Sequence, residues 1–334
     1  MKTGIILTIA IKIASSNQTA KGLPPAGRVI GWGHGGGEKL VYFSEADSMG
    51  YISVGGHELS NVVAIAAEGL HAMALKADGT VVVWGYDPAN KLVTVPPGLS
   101  NVVDISLGGE HNLVLTADGT VMSWGDDEAA PVPAGLSNVV AISGGGSYTL
   151  VLKRDGTIQQ WGGPYGSPPA GLSNIVAIAE CHSEFGDELV LTREGTVVEW
   201  PCVYNDDTYK MPPGLADVVA IASGDSHALA LRKDGTVVAW GYASGDYMNP
   251  NFGQMNVPAG LSNVVAIAAG PAISLALKKD GTVAVWGDNG HHQVDLAAGL
   301  NNIVAIAAGQ GFCLAIQNNG TLIETNIPAA AIKP

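Results

Sequence analysis

The chain has 334 residues, of which 47% are apolar and 14% carry a charge, and its 45 glycines and 18 prolines are typical of a β protein rich in turns. The 30 acidic residues outnumber the 16 basic ones, and the net charge of −14 disfavours binding to the phosphate backbone of nucleic acid. No apolar stretch predicts a transmembrane helix, and no linker divides the chain. We therefore expect one domain without a membrane span and without a nucleic-acid partner.

Residues 1–27 allow two interpretations. Lys2, the apolar run 5–11 and the small residues 14–16 resemble a short secretory signal. Alternatively, the alternation of large and small residues in the apolar run, which Lys12 interrupts, predicts a surplus strand. Both interpretations stay open, and a secreted or cell-surface location is slightly favoured over a cytoplasmic one.

Residues 34–58 are predicted to form an irregular, flexible first connection. The glycines of the sequence GHGGGEK give it a superficial likeness to a phosphate-binding loop. However, no Gly-Lys-Ser/Thr closes the motif and no helical pattern follows it. The segment therefore predicts a loop and not a nucleotide site.

From residue 59 onwards the chain repeats one unit, written most clearly at 261–287 as LSNVVAIAAGPAISLALKKDGTVAVWG. Its three runs of β-branched and aliphatic residues predict three strands. The Asp-Gly pair predicts a tight hairpin turn with positive φ angles, and the proline of the PxGL ending belongs on a sheet edge. The isoleucine of VVAI marks seven copies, spaced 36 to 46 residues apart: Ile65, Ile105, Ile142, Ile178, Ile221, Ile267 and Ile306.

Side-chain size alternates along these strands. Leu275 and Leu277 should point to one face of the sheet, and Ser274 and Ala276 to the other. Both faces are then apolar, one bulky and one small, so each sheet should stack on a neighbour on both sides. A closed ring of such sheets is a β-propeller, whereas an open solenoid would leave two exposed ends.

The tryptophans favour the ring. Six of the seven end the third strand of a repeat, whereas Trp32 lies before the repeats in the sequence RVIGWG. The last repeat has Thr325 in place of a tryptophan, so residues 28–33 are expected to complete its sheet. The sequence thus predicts an all-β fold, a seven-bladed β-propeller closed by an N-terminal strand. The expected segments are an N-terminal extension at 1–27, the propeller at 28–326 and a C-terminal tail at 327–334.

The unit IAAGxxHxLALKxDGTVVAWG resembles the repeat of the regulator of chromosome condensation family, whose members form seven-bladed propellers. The short period, the VPAGL ending and the N-terminal WG strand look most like the compact variant found in the bacterial type II beta-lactamase inhibitory protein. The resemblance covers residues 28 to about 325 and implies the fold. It leaves the function open, because the family includes a nucleotide exchange factor, chromatin binders and inhibitors.

The histidines do not predict a metal site. A repeat position six residues after the isoleucine accepts such different side chains that we expect it to fill space at the start of a strand. The adjacent His291 and His292 lie on a loop, where neighbouring side chains point apart. The residues at the repeat position are His71, His111, Tyr148, His227, Ile273 and Phe312.

The three cysteines have different expected environments. Cys181 and Cys202 should lie at the same end of the fourth repeat, which departs from the pattern through an insertion at 180–187. They would form a disulfide in a secreted protein and would otherwise stay free thiols. Cys313 occupies a strand position and is expected to be a small buried apolar residue.

The two ends of the predicted ring should differ. Alternating strand direction puts the DG turns and LSN links on one face, and the AAGxxH turns and the segments after each WG on the other. The second face varies in length and carries tyrosines among acidic residues, which is typical of a protein-binding surface, although loops that simply drift would vary as well. The candidate partner-binding residues are Tyr86, Asp126, Asp127, Tyr165, Tyr204, Asp206, Asp207, Tyr209, Tyr242, Asp246, Tyr247, Phe252 and His291.

No motif for a catalytic nucleophile occurs, and pairs of carboxylates such as Asp126 and Asp127 lie in the variable segments. We therefore expect a monomeric, non-catalytic module without a cofactor that binds a partner protein, as an inhibitor or a surface adaptor. The alternative is a guanine-nucleotide-exchange-type regulator or an enzyme that uses the propeller face or the central channel.

Overall fold

The computed structural model describes residues 26–34, 47–85, 93–109, 111–125, 131–163, 167–181, 187–201, 211–241 and 251–318. Nearly all of the regular structure in these ranges consists of short β-strands, with a single helical turn, α1 (Gln293–Leu296). No helix in these ranges is long and apolar enough to cross a membrane.

The strands are short, as expected for runs bounded by Gly, Asn and Asp. The first four are β1 (Arg28–His34), β2 (Asp47–Tyr51), β3 (Ser53–Val54) and β4 (His57–Glu58). The repeats then supply β5 (Val62–Glu68), β6 (His71–Lys76), β7 (Val81–Gly85), β8 (Val102–Leu107), β9 (His111–Thr116), β10 (Val121–Gly125), β11 (Val139–Gly144), β12 (Tyr148–Lys153) and β13 (Ile158–Gly162). The later repeats supply β14 (Ile175–Ala179), β15 (Asp187–Thr192), β16 (Val197–Pro201), β17 (Val218–Ser223), β18 (His227–Arg232), β19 (Val237–Gly241), β20 (Val264–Ala269), β21 (Ile273–Lys278), β22 (Val283–Gly287), β23 (Ile303–Ala308) and β24 (Phe312–Gln317).

These strands form antiparallel sheets that we number as blades. Blades one to six each contain three consecutive strands, from β5-β6-β7 to β20-β21-β22, and blade seven has the order β2-β1-β24-β23. Strands β3 and β4 form a separate two-stranded hairpin. Each blade packs against the next, and β5 of blade one packs against β23 and β24 of blade seven. This closed arrangement is the predicted all-β propeller, and its seven sheets agree with the predicted number of blades.

The hydrophobic core is divided among the seams between blades. At one seam, Leu229 and Leu231 of blade five pack with Ile267, Ala276 and Trp286 of blade six. The same combination of residue types recurs at the other seams, including the one between blade seven and blade one. Every blade therefore depends on both of its neighbours for the burial of its apolar faces.

The distribution of large and small residues differs from the prediction of one bulky face and one small face. Leu275 and Leu277 pair across the sheet with Ala268 and Ala266, while Ile267 pairs with Ala276. Because directly paired residues in an antiparallel sheet share a face, each face combines large residues from one strand with small residues from the other. This mixture keeps the two faces similar in volume, so that neighbouring blades interlock.

The N-terminal strand closes the ring as predicted. Strand β1 pairs with β24, and Trp32 lies opposite Cys313, as Trp286 lies opposite Ser274 in blade six. The start of the strand is held by Arg28, whose Nη2 donates to the Tyr51 hydroxyl at 2.7 Å while its guanidinium carbon lies 3.8 Å from the centre of the Tyr51 ring. The Tyr51 hydroxyl in turn donates to Gln317 Oε1 at 2.7 Å, which links β2, β1 and β24.

Residues 34–58 were predicted to form an irregular connection, and this expectation is wrong for the second half of the segment. Strand β2 pairs with the free edge of β1 as a fourth strand, and β3 and β4 form a hairpin next to it. The sequence DSMGY has no alternation of apolar and polar residues that would predict a strand. Its strand conformation depends instead on pairing with the edge of β1. Residues 35–46, which include most of the GHGGGEK sequence, lie outside the described part of the chain.

The Asp-Gly turns join each blade to the next. Gly79 has φ of +80°, but Asp78 does not have a positive φ, so the expectation of two such residues is corrected. Instead, Asp78 Oδ1 accepts hydrogen bonds from the backbone N–H and the hydroxyl of Thr80, at 3.0 and 2.6 Å. The Gly79 carbonyl then accepts the N–H of Val102 in the next blade at 3.2 Å.

Ring closure uses a substitute for this last contact. Gly27 exchanges two backbone hydrogen bonds with Val62, at 2.9 and 3.0 Å. Gly27 thus accepts the Val62 N–H, as Gly79 accepts the N–H of Val102 in the next blade. A side chain on Gly27 would clash with the carbonyl of Gln317. The N-terminal segment thus supplies the tryptophan of blade seven and two backbone hydrogen bonds to blade one.

We predict that Trp32→Ala destabilises the ring by about 3–5 kcal/mol, because it removes a fully buried indole from the seam between blades six and seven. The free energy of unfolding would be measured by urea denaturation. Met49→Ala is the matched control, since Met49 lies opposite Trp32 on β2 and is 46% exposed. Equal losses for both variants would contradict the role given to β1.

Candidate functional site

The described backbone separates two faces of the ring. The turn face comprises the ends of the second strands, the Asp-Gly turns and the LSN links, which are bonded together, for example by Ala77 N–H to the Asn61 carbonyl at 2.9 Å. The loop face comprises the turns between first and second strands and the segments that follow each third strand. There, Asp288 N–H donates to the Ala272 carbonyl at 2.9 Å, and His34 N–H donates to the Gly311 carbonyl at 2.9 Å. The predicted division into two faces is therefore correct.

Few of the candidate partner-binding residues fall within the described part of the chain. Of the predicted residues, Phe252 and His291 lie in the described part of the chain, and both belong to the loop face. The others lie outside the described residues: Tyr86, Asp126, Asp127, Tyr165, Tyr204, Asp206, Asp207, Tyr209, Tyr242, Asp246 and Tyr247.

Phe252 lies on a loop that is anchored by a buried glutamine. The backbone carbonyl of Gln254 accepts Trp286 Nε1–H at 2.7 Å and the Ser274 hydroxyl at 2.8 Å. Its side-chain Oε1 accepts the backbone N–H of Phe252 at 2.8 Å. The side chain of Phe252 is nevertheless 48% exposed. The loop therefore presents an aromatic ring to solvent on a backbone that is fixed by hydrogen bonds.

His291 occupies the equivalent position in the next blade. Gln293 is buried, its carbonyl accepts Trp32 Nε1–H at 2.8 Å, and its Oε1 accepts His291 N–H at 2.9 Å. The His291 ring packs against His34 with ring centres 4.5 Å apart and planes tilted by 50°. His292 points elsewhere and contacts Asp295 at 3.1 Å. Within the described ranges, no three His, Cys, Asp or Glu side chains are grouped as metal ligands.

The sequence missed these anchoring glutamines. Each stands seven residues before the leucine of the GL ending, at Leu261 and Leu300, and this shared spacing is the signal that could have identified them. In blade four a side chain bonds the tryptophan indole in place of a backbone carbonyl. Glu199 Oε2 accepts Trp240 Nε1–H at 3.1 Å, and Glu199 Oε1 accepts Met211 N–H at 3.1 Å.

The repeat position with the histidines is buried, as expected, and it also joins neighbouring blades. His111 Nε2 is hydrogen-bonded to the Thr149 hydroxyl at 3.0 Å, and His227 Nε2 to the Ser274 hydroxyl at 2.8 Å. The Tyr148 hydroxyl donates to the Cys181 carbonyl of the following blade at 2.9 Å. Burial lowers the pKa of His227 to about 4, so this side chain stays neutral near pH 7.

The aromatic side chains at this repeat position explain why a glycine stands three residues before them. A Cβ on Gly108 would clash with the imidazole of His111, and one on Gly145 would clash with the phenol of Tyr148. The glycine of the AAGxxH turn is therefore required by packing against the ring. The contacts of this position serve the seams and do not form a binding site.

Blade four contains an unusual cluster of buried carboxyl groups. Glu180 and Glu188 are at most 1% exposed and Asp187 is 8% exposed. Burial raises the pKa of Glu180 well above its usual range, and the nearby charge of Glu188 raises it further. Burial likewise raises the pKa of Glu188 to about 8 and that of Asp187 to about 7, and Glu199 adds to the shift of Asp187.

The insertion in the fourth repeat accounts for this cluster. By strand pairing, Asp187 lies opposite Pro201 as His227 lies opposite Gly241, so Asp187 occupies the position that holds His227 in blade five and Tyr148 in blade three. Cys181 in the same blade is disulfide-bonded, whereas Cys202 lies outside the described residues. Cys313 is a buried free thiol, as expected, and burial raises its pKa far above the usual range.

Charge is distributed unevenly between the faces. Among the described residues, the turn face holds eight of the nine Lys and Arg residues and seven of the eighteen Asp and Glu residues. Elsewhere in the described part, Arg28 is the one basic residue against eleven acidic residues. The acidity of the protein therefore lies away from the turn face.

Comparisons with known proteins agree with this geometry. The sequence profile of the regulator of chromosome condensation (RCC1) repeat matches residues 102–129, 218–254 and 264–293. The crystal structure of yeast RCC1 (Prp20) bound to Kap60 superposes with a TM-score of 0.65 at 16% identity, over 89% of this chain and 90% of that chain. The fold is an RCC1-like β-propeller.

Other solved structures support the same fold. Prp20p from Saccharomyces cerevisiae has a TM-score of 0.64 at 15% identity, over 90% of this chain and 93% of that one. Human WBSCR16 has a TM-score of 0.58 at 15% identity, over 87% and 100%. A comparison with curated protein sequences finds no match. At these identities the likeness of the RCC1-like propeller to its neighbours concerns the fold alone.

We predict that the RCC1-like propeller becomes less stable as the pH rises from about 4.5 to 8. In this window Glu188 ionises in the unfolded chain but stays protonated in the folded one, because its folded pKa is raised to about 8. Glu188→Gln removes this penalty, so it should raise the free energy of unfolding by on the order of 2 kcal/mol at pH 8 and leave it nearly unchanged near pH 4.

The measurement is urea denaturation at both pH values. Glu194→Gln is the control, since Glu194 is an exposed carboxylate in the turn of the same blade. A gain from Glu188→Gln that is equal at both pH values would mean that ionisation of this group does not govern the effect.

Proposed function

We propose that this RCC1-like propeller is a non-catalytic protein-binding module that contacts its partner through the loop face. The observation that carries the proposal is Phe252, a large apolar side chain that is 48% exposed on a backbone held by Gln254. An exposed aromatic ring on a rigid loop loses little conformational entropy on binding, and such residues supply much of the energy of protein interfaces.

The turn face is less suited to recognition of a specific partner, because its structure varies little between blades. Its links and turns are bonded to one another in the same way in successive blades, as Val218 to Gly195 and Val264 to Gly235. The loop face, in contrast, has a different anchor in different blades, with a backbone carbonyl at Gln254 and a carboxylate at Glu199. Variation confined to one face of a repeat scaffold favours that face as the recognition surface.

Electrostatics favours a basic or hydroxyl-rich partner. The candidate loop-face carboxylates include Asp288, which is described, together with Asp126, Asp127, Asp206, Asp207 and Asp246, which lie outside the described residues. Charges at the rim of an interface act mainly on the rate of association. Association should therefore slow as salt rises, while the dissociation rate changes little.

The relatives make a protein partner reasonable. The solved structures include yeast RCC1 (Prp20) bound to Kap60. The structure of Prp20p was determined together with its binding properties towards Gsp1p and histones. For this chain we propose an inhibitor or adaptor role, as in the compact variant that its repeats resemble. A catalytic role has less support, because Glu68, Glu180 and Glu188, whose carboxyl pKa values are raised, are at most 7% exposed.

We also propose that the protein is monomeric and that it works outside the cytoplasm. Within the described residues, the apolar faces of the blades pack against other blades of the same chain, which supports a monomer. Cys181 is disulfide-bonded, and disulfides persist in secreted and cell-surface proteins and are rare in the cytosol.

The test is affinity capture from the native organism followed by binding measurements with the captured protein. We predict that Phe252→Ala weakens binding by about 30-fold, which corresponds to about 2 kcal/mol. Tyr204→Ala, Tyr209→Ala and Tyr247→Ala extend the test to the remaining aromatic candidates of the loop face. Asp155→Asn is the matched control on the turn face and should leave the affinity unchanged.

The outcomes separate the two faces. If binding survives Phe252→Ala and the three tyrosine variants but fails in Asp155→Asn, the loop face is not the binding site. If turnover of a small molecule accompanies binding and is lost with Phe252→Ala, the proposal of a non-catalytic module is wrong.

A further inference from the structure

Basic side chains of the described chain are concentrated at one pair of repeat positions. These positions are the last residue of the second strand and the first residue of the turn, both on the turn face. Blades three to six contribute seven of these residues and blade one contributes only Lys76. We name the seven residues of blades three to six the basic arc: Lys153, Arg154, Arg193, Arg232, Lys233, Lys278 and Lys279.

The basic arc is accessible and almost free of ion pairs. Arg154, Arg193, Lys233 and Lys279 are exposed. Within the described residues, Lys278 is the one member with an ion pair, to Asp280 at 3.5 Å. These cations are therefore available to a partner.

The carboxylates of the same turns are occupied locally. Asp155 Oδ1 accepts both the hydroxyl and the backbone N–H of Thr157, at 2.7 and 3.0 Å, and Asp234 bonds Thr236 in the same way. These hydrogen bonds hold the pKa of Asp155 and of Asp234 below the usual range. The aspartates thus stay ionised and turned towards their own threonines, while Arg154 and Lys233, which precede them in the sequence, are exposed.

A groove accompanies the arc at blade six. It has a volume of about 640 Å³ and runs between the link segment 258–263 and the outer strand β22. Lys278, Lys279 and Asp280 lie along it, together with the apolar residues Leu261 and Val283. The groove therefore offers both charge and apolar surface to an extended chain.

We propose that the basic arc is a second docking surface, distinct from the loop face, which binds an acidic segment of a partner protein. Charge complementarity supports this choice, because the arc holds seven of the nine described Lys and Arg residues of a chain whose net charge is −14. The Debye length is about 8 Å at physiological salt, so the acidic groups elsewhere on the ring do not cancel the local attraction.

The alternation of charge along the arc favours a peptide over a polyphosphate. Asp155, Glu194, Asp234 and Asp280 each lie next to a cation of the arc. A nucleic acid carries a phosphate at every nucleotide and would meet these carboxylates repeatedly. The carboxylates of an acidic peptide can be spaced by neutral residues and so contact the cations alone.

The experiment uses the full chain and a fluorescein-labelled peptide of alternating Glu and Gly, read by fluorescence anisotropy at low and at physiological salt. We expect binding that weakens with salt, and an affinity reduced on the order of tenfold in the triple variant Arg154→Glu, Lys233→Glu, Lys279→Glu. Lys76→Glu is the matched control, a turn-face cation outside the arc, and should change the affinity less than about twofold.

Three results would overturn the proposal. They are absence of binding at low salt, equal weakening by Lys76→Glu and by the triple variant, and tighter binding of a single-stranded oligonucleotide than of the acidic peptide. A matching peptide of Lys and Gly is the charge-reversed control and should not bind the arc. Melting temperatures of all variants check that the ring stays folded, and Phe252→Ala should leave peptide binding intact.

Discussion

The contact between one blade's leucines and the alanines, isoleucine and tryptophan of the next is the interaction on which the whole ring depends. A single three-stranded sheet with two apolar faces cannot bury either of them alone. Leu229 and Leu231 are fully or almost fully buried only because blade six supplies Ile267 and Trp286. Since the last seam joins β24 to β5, removal of any blade would expose the faces of two others.

The difference between the two faces of the ring follows from the hydrogen bonds that hold neighbouring blades together. On the turn face, the backbone of each turn is bonded to the following link, so little can change without loss of the seam. On the loop face, the tryptophan indole is bonded by different residues in different blades, and within the described residues the indole N–H groups of Trp84 and Trp200 have no hydrogen-bond partner. Gln254 and Gln293 use a backbone carbonyl, whereas Glu199 uses its carboxylate. The anchors of the loop face therefore differ between blades, whereas the bonds of the turn face are repeated.

The sequence predicted the features that depend on periodic packing. Trp32 and the Trp-less last repeat located the closing strand, and the repeats located the sheets. Strand β2 was missed because its residues have no apolar alternation and pair with an edge supplied by tertiary structure. The buried carboxyls of blade four were missed because the insertion hid the register that places Asp187 at a ring position. Most candidate site residues lie outside the described part of the chain, at positions to which the repeat pattern does not extend.

The pairing of β1 with β24 has a consequence for the order of events during synthesis. Ile30 lies opposite Ala315, so the strand made first must wait for one of the strands made last. Until then, blades one to six can stack as they leave the ribosome, while the RVIGWG segment remains without its partner. Contacts of such large sequence separation form slowly, and an unpaired apolar strand is prone to misassociation. The apolar segment of β1 is therefore open to misassociation until β24 has been made.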